Sequence, residues 1–491
     1  MDCVSKVLGA FAWSLLALLG GCAALDGAPE HIVMFDADGR AVRPHVEGGS
    51  TRAEQRVPNA DSTGFEPTGE WHDYLERMFA AAAAAGADPQ KRRLVVFIHG
   101  GLNTPRGTLE RANRLLAPMT EDGFFPIFVN WRSSLVSSWF EHLLYVRQGE
   151  DWGWWGVPFA PVFLAHDLAR AVIRAPFVWT QEVMRLFNTF PGYKSAGQEK
   201  ADEIGDDLVR GWNGGQPADP NATPIVRNRD VRSGFEVGTS FTAWLLSFPF
   251  KLVSGPFVDA FGQPAWDVMS RRVHLLLDSG GEPREGKAAT RRPQLLQFSA
   301  RLARFQREQA ALGRDWELVL IGHSMGSMVA NGLLLEETRA PVAAPARVAE
   351  FDRIVYLSAA CSLRDWEAAV VPYLMRHAQS RFYLVALNDK AEDGELNAYD
   401  LSPRGSLLDW IDAFLARPMA PLDHTAGRFH NFLLAYSRIA ANLRSRIHVR
   451  EFGLGNGFDG MGPQKHGEFD EYDFWQPEFY DPKLAPTPPP R

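Results

Sequence analysis

The sequence predicts an α/β fold: a mostly parallel sheet flanked by helices, interrupted by one large insertion. Three observations carry that expectation. Short apolar runs at Leu94–Ile98, Pro126–Trp131, Leu318–Gly322, Ile354–Leu357 and Phe382–Leu387 have the composition of strands buried on both faces. Segments with apolar residues every three or four positions, such as Leu295, Phe298, Leu302 and Phe305, lie between strands as amphipathic helices, and this alternation builds parallel sheets. Residues 135–290 break the rhythm with aromatic-rich stretches, among them Trp152-Gly153-Trp154-Trp155 and the uncharged run Val237–Phe250.

Length and composition bound the function classes. At 491 residues, 46% hydrophobic and 22% charged, the chain has ample material for a core and exceeds one average domain. A formal net charge of −8 with no basic stripe speaks against a nucleic-acid partner. Three cysteines are too few for a disulfide framework. No metal-ligand cluster or nucleotide-binding loop stands out, so no cofactor is expected.

Taken in order, the chain opens with Lys6 and the apolar stretch Val7–Leu19, too short for a membrane span and of the form of an export signal. Its ending, Leu19-Gly20-Gly21-Cys22, resembles the lipobox of bacterial lipoproteins. That resemblance implies a signal peptide over 1–21, cleavage before Cys22, and membrane attachment through acylation of the Cys22 thiol. Ala23 in place of an aspartate then implies the outer membrane, facing the periplasm. Residues 22–68 read as a tether, with His31–Phe35 a strand turning at Asp36–Gly39 towards Ala41-Val42. Trp71 to Ala85 has helical spacing. Core is expected over 69–134 and again over 291–475, with the insertion 135–290 between and a Pro-rich tail over 476–491. The run Val237–Phe250 falls short of the ~20 residues that cross a bilayer. The insertion's aromatics are expected to pack within a cap, to line an acyl pocket, or to rest on a membrane.

Chemistry concentrates at two strand ends. After Leu318–Gly322 comes Gly322-His323-Ser324-Met325-Gly326, and after it the helical run Ser327–Glu336. A serine at a tight strand-to-helix corner projects its hydroxyl outwards, and glycines two residues either side let strand and helix approach. The N–H of Met325 then sits at a helix start, where donors and dipole suit an oxyanion. After Leu94–Ile98 comes His99-Gly100-Gly101-Leu102, a loop whose glycines allow close backbone approach.

Together these motifs resemble the nucleophile elbow and oxyanion loop of the α/β-hydrolase superfamily. The resemblance implies that fold with 135–290 as an inserted cap, Ser324 as nucleophile, and Gly101 and Met325 as oxyanion donors, with Leu102 the alternative to Gly101. Since a neutral hydroxyl is a weak nucleophile, it also implies a histidine base oriented by an acid, in the chain order Ser, Asp or Glu, His. His466, in the loop beyond the last strand Ile447–Phe452, fits the base. Asp389, directly after Arg381–Leu387, fits the acid, with Asp393 and Asp365 as alternatives. His99, His424, His430 and His448 are read as structural. The function so implied is hydrolysis of a small-molecule or lipid ester through an acyl-enzyme. An acyltransferase with the same triad and a non-catalytic envelope scaffold are the other readings.

Overall fold

The computed structural model describes residues 29–47, 50–57, 65–147, 150–188, 190, 199–200, 203–204, 225–226, 234–277, 292–339, 348–396, 400–453, 462–481 and 483–484. The signal stretch 1–21, Cys22 and most of the Pro-rich tail lie outside the described residues. Strands β1 (Ile32–Phe35), β2 (Ala41–Glu47) and β3 (Ser50–Arg56) precede helix α1 (Gly69–Ala85). Then follow β4 (Arg93–Ile98), α2 (Pro105–Glu121) and β5 (Phe124–Trp131). The insertion holds α3 (Leu135–Leu144), the short strands β6 (Val146–Arg147) and β7 (Glu150–Asp151), α4 (Ala160–Asn188), β8 (Ile225–Val226) and α5 (Gly234–Leu277). Helix α6 (Gln294–Ala311), β9 (Glu317–His323), α7 (Gly326–Arg339), β10 (Arg353–Leu357), α8 (Leu363–Arg376) and β11 (Arg381–Leu387) resume the alternation. The last elements include α9 (Asp389–Gly394), α10 (Leu407–Trp410), α11 (Phe429–Tyr436) and β12 (Ile447–Phe452).

Ten strands form one sheet in the order β3-β2-β1-β5-β4-β9-β10-β11-β12-β8. Every pair from β1/β5 to β12/β8 is parallel; only β1/β2 and β2/β3 are antiparallel. The apolar runs named from the sequence are these central strands, and they are buried on both faces because helices cover both. One core, including Leu94, Val96, Leu318, Leu320, Phe298 and Trp366, fills one face; the other, including Val95, Phe97, Val319, Leu109 and Trp475, fills the opposite face. The odd–even split along β4 and β9 is the pleat of a strand made visible.

Three elements depart from expectation. Residues 41–47 and 50–56, read largely as tether, extend the sheet as an antiparallel pair, and backbone pairing to β1 supplies the order that side-chain periodicity does not announce. The run Val237–Phe250 belongs to a helix of 44 residues, continuing through Pro249, Pro256 and Pro264. The insertion also feeds the main sheet, for β8 pairs with the edge of β12.

The β9–α7 corner leaves no room for side chains. A Cβ on Gly326 would stand 2.1 Å from the carbonyl oxygen of Ile98, a backbone atom of the buried β4. Gly326→Ala is therefore expected to destabilise the fold by about 2–4 kcal/mol. Gly238→Ala, where an added Cβ meets nothing within 4 Å, should leave stability unchanged or slightly raised, with urea denaturation as the measurement for both.

Candidate active site

The candidate site lies beyond the carboxyl ends of β4 and β9, which are paired in parallel with Ile98 opposite Gly322. That register sets the loop after β4 beside the corner after β9. Ser324 sits at the corner with φ of 52°, left-handed backbone that a non-glycine residue rarely adopts. Its backbone is held from several sides. The Ser324 N–H donates to the Leu357 carbonyl at 2.8 Å, and the Ser324 carbonyl accepts from the Ala360 N–H at 3.1 Å and the Ser327 hydroxyl at 2.6 Å. Ser327 Oγ in turn accepts from the Cys361 N–H at 3.1 Å. These bonds over-determine the corner, which is how a strained φ persists.

The loop His99–Leu102 presses on this corner. A Cβ on Gly100 would lie 2.8 Å from Ser324 Cβ, and one on Gly101 would lie 2.5 Å from Met325 Sδ. Glycine is required there by close approach, and the two segments expected to carry oxyanion donors are in contact. His99 is structural, as expected from the sequence. The Trp131 N–H donates to its Nε2 at 3.0 Å, its Nδ1 meets the Gly100 carbonyl at 2.6 Å, and its ring stacks on Trp131. Burial holds its pKa at about 3, so it is a neutral loop brace.

His466 arrives from the loop after β12. Its Nε2 lies 3.0 Å from Ser324 Oγ, across 142 residues of sequence. With the hydroxyl donating to Nε2, the ring proton sits on Nδ1. Among the described residues Nδ1 is buried without a hydrogen-bond partner. The backbone of the same residue is fixed at both ends: the His466 N–H donates to Glu395 Oε2 at 2.9 Å, and its carbonyl accepts from His323 Nε2 at 3.2 Å. The His323 ring also stacks on the His466 ring. Burial, with His323 nearby, lowers the His466 pKa to about 3, so the imidazole is neutral and able to take a proton at ordinary pH.

Asp389 is not brought to His466. Asn388 caps α9 by accepting the Ala391 N–H, so Asp389 becomes the first helical residue and its carboxylate meets His430 Nδ1 on α11. The alternatives are engaged elsewhere too: Asp393 is paired with Arg428, and Asp365 with the Ser362 hydroxyl at the start of α8. His424 lies against Asp412, and His448 stacks on Tyr383. The carboxylate at the His466 backbone belongs to Glu395, which sequence reading passed over. It stands in the same segment after β11, where either an aspartate or a glutamate was admissible, but the turn of α9 moves the useful position past the strand end. Burial raises the Glu395 pKa to about 7.

Ser324 and His466 are only 2% and 6% exposed, so the pair is closed off from solvent. A cavity of about 790 Å³ opens next to the loop after β4, lined by Leu102, Thr104, Arg132, Leu135, Phe140 and Arg272 among others. Its lining joins the loop after β4 to the insertion's α3 and α5, and does not include Ser324 or His466. The residues described contain no group of His, Cys, Asp and Glu arranged to hold a metal ion.

The low pKa of His466 has a direct readout. A buried histidine depressed from its usual 6.5 to about 3 stays neutral as pH falls from 8 to 4. Its ring resonances in NMR should not move over that interval, whereas a normal histidine would titrate midway. No protein-family model, no curated protein and no solved structure matches this chain; its architecture, a mostly parallel sheet flanked by helices, is compatible with an α/β-hydrolase-like fold.

Proposed function

We propose that this chain is a serine hydrolase acting on carboxylic esters, lipid esters included, through an acyl-enzyme, and that Cys22 carries its lipid anchor in the outer membrane. The observation that carries the catalytic reading is the hydrogen bond between Ser324 Oγ and His466 Nε2, made at a strained strand-to-helix corner. Ser324 Oγ attacks the ester carbonyl as its proton passes to His466 Nε2. The N–H groups of Gly101 and Met325 receive the oxyanion, and the expelled alcohol leaves with the proton from His466. Water, activated by the same imidazole, then attacks the acyl-enzyme and releases the acid.

The orienting acid in this proposal is Glu395 in place of Asp389. When His466 accepts the proton, its buried Nδ1–H needs an anionic acceptor, and the Glu395 carboxylate is already held at that residue by the His466 N–H. The buried state of the serine favours one second reading, transfer of the acyl group to an alcohol acceptor that displaces water. Product analysis with competing alcohols separates the two.

Ser324→Ala is expected to lower esterase activity by roughly four to six orders of magnitude and to abolish labelling by a fluorophosphonate. Labelling that persists in Ser324→Ala, or p-nitrophenyl ester turnover that does not fall, refutes the mechanism. Because Glu395 ionises near pH 7 and only its charged form can stabilise the imidazolium, kcat/KM should rise as pH increases through about 7. Glu395→Gln should remove that rise and cost roughly 10²–10⁴ in kcat, whereas Asp389→Asn should change kcat by less than about tenfold. The opposite ranking would return the acid role to Asp389.

A further inference from the structure

The two long helices of the insertion are turned the opposite way from helices of a water-facing cap. From residue 161 to 187 the exposed positions of α4 hold no Asp, Glu, Lys or Arg; Val172, Ile173, Phe177 and Phe187 are among them. The same is true of α5 from 238 to 257, where Leu245, Leu246, Phe250 and Val253 face outwards. Ile173 is 80% exposed and Leu246 73%. At the start of α4 the turn Gly153–Phe159 presents Trp154 and Trp155, each 79% exposed. Within these two stretches the charged side chains point inwards. Lys251 pairs with Asp400 and Glu182, Arg185 with Asp409, Arg174 with Asp259, and Glu182 accepts from Trp244 Nε1 and the Arg404 N–H.

We propose that the outer face of α4 and α5 lies in the surface layer of a lipid bilayer. Both helices have the length and apolar content of membrane spans, but their inner faces are joined by ion pairs to the protein core at Asp400 and Asp409, so lipid cannot surround them. A helix with one apolar face, arginines on the other and tryptophans at its end fits the interfacial plane. A water-soluble protein partner would leave a polar rim around an apolar centre, whereas here the uncharged surface runs along α4 for about 40 Å. The chain's start is compatible with such a position. If Cys22 is acylated, the seven residues to Pro29 would keep the fold within about 25 Å of lipid. The inference needs neither that anchor nor the activity of Ser324.

The test places an environment-sensitive nitrobenzoxadiazole label at Ile173→Cys or Leu246→Cys in the full chain with Cys3→Ser and Cys22→Ser; Cys361 is buried. A control label at Glu121→Cys sits at the end of α2, on the opposite layer of the sheet. Vesicles of phosphatidylethanolamine and phosphatidylglycerol should raise emission about threefold or more at 173 and 246, with a blue shift, and leave 121 unchanged. Equal responses at all three sites would overturn the proposal. So would emission at 173 and 246 that is already high without vesicles, which would assign the face to a second copy of the chain. No step of this readout involves catalysis, so its failure and that of the hydrolase reading are separate events.

Discussion

The parallel pairing of β4 with β9 is the constraint on which the candidate site depends. With Ile98 level with Gly322, both chains leave the sheet at the same height, and the space between the two exits is smaller than a methyl group at several points. That crowding explains why glycine occupies 100, 101 and 326, and it explains the left-handed serine. The corner must turn within the few residues before Gly326 meets the Ile98 carbonyl, and Ser324 absorbs the turn. The Ser324 hydroxyl is thereby brought to His466 Nε2 from a corner whose backbone is set by crowding.

Legibility in the sequence followed physical range. The central strands were readable because burial on both faces writes an unbroken apolar run, and the corner was readable because close approach writes glycine at fixed offsets. The place of His466 beside Ser324 was readable from chain order alone, since few histidines follow the last strands. The carboxylate that meets His466 was not, because its position depends on a helical turn after β11. Asn388 starts that turn by capping α9, which makes Asp389 the first helical residue with its carboxylate on His430. The strands β2 and β3 and the full extent of α5 were hidden for a different reason. Backbone pairing specifies the former, and the three prolines of the latter interrupt the local signal without ending the helix.

The insertion has a second link to the rest of the fold. Its ion pairs end on Asp400 and Asp409, and its Glu182 accepts the Arg404 N–H. Asp400, Arg404 and Asp409 all follow Glu395 closely in the chain, and Arg428 bridges Asp409 to Asp393. A buried charge left without its partner is far more costly than the pair itself is favourable, so these contacts fix geometry more than they add stability. The Gly405 N–H donates to the Glu395 carbonyl at 3.0 Å, so Glu395 is tied to the stretch that the insertion's helices hold.

The grip on Ser324 also redraws the boundary of what counts as the site. The N–H and carbonyl of Ser324 are both tied to the segment Leu357–Ala360, and Gly427 fits against that segment so tightly that a Cβ there would stand 2.2 Å from the Ala359 nitrogen. A side chain at 427 would push the segment, and the segment would swing the hydroxyl away from its imidazole. In a kinetic assay such a lesion would look like damage to the serine itself, although residue 427 belongs to another loop a hundred positions away.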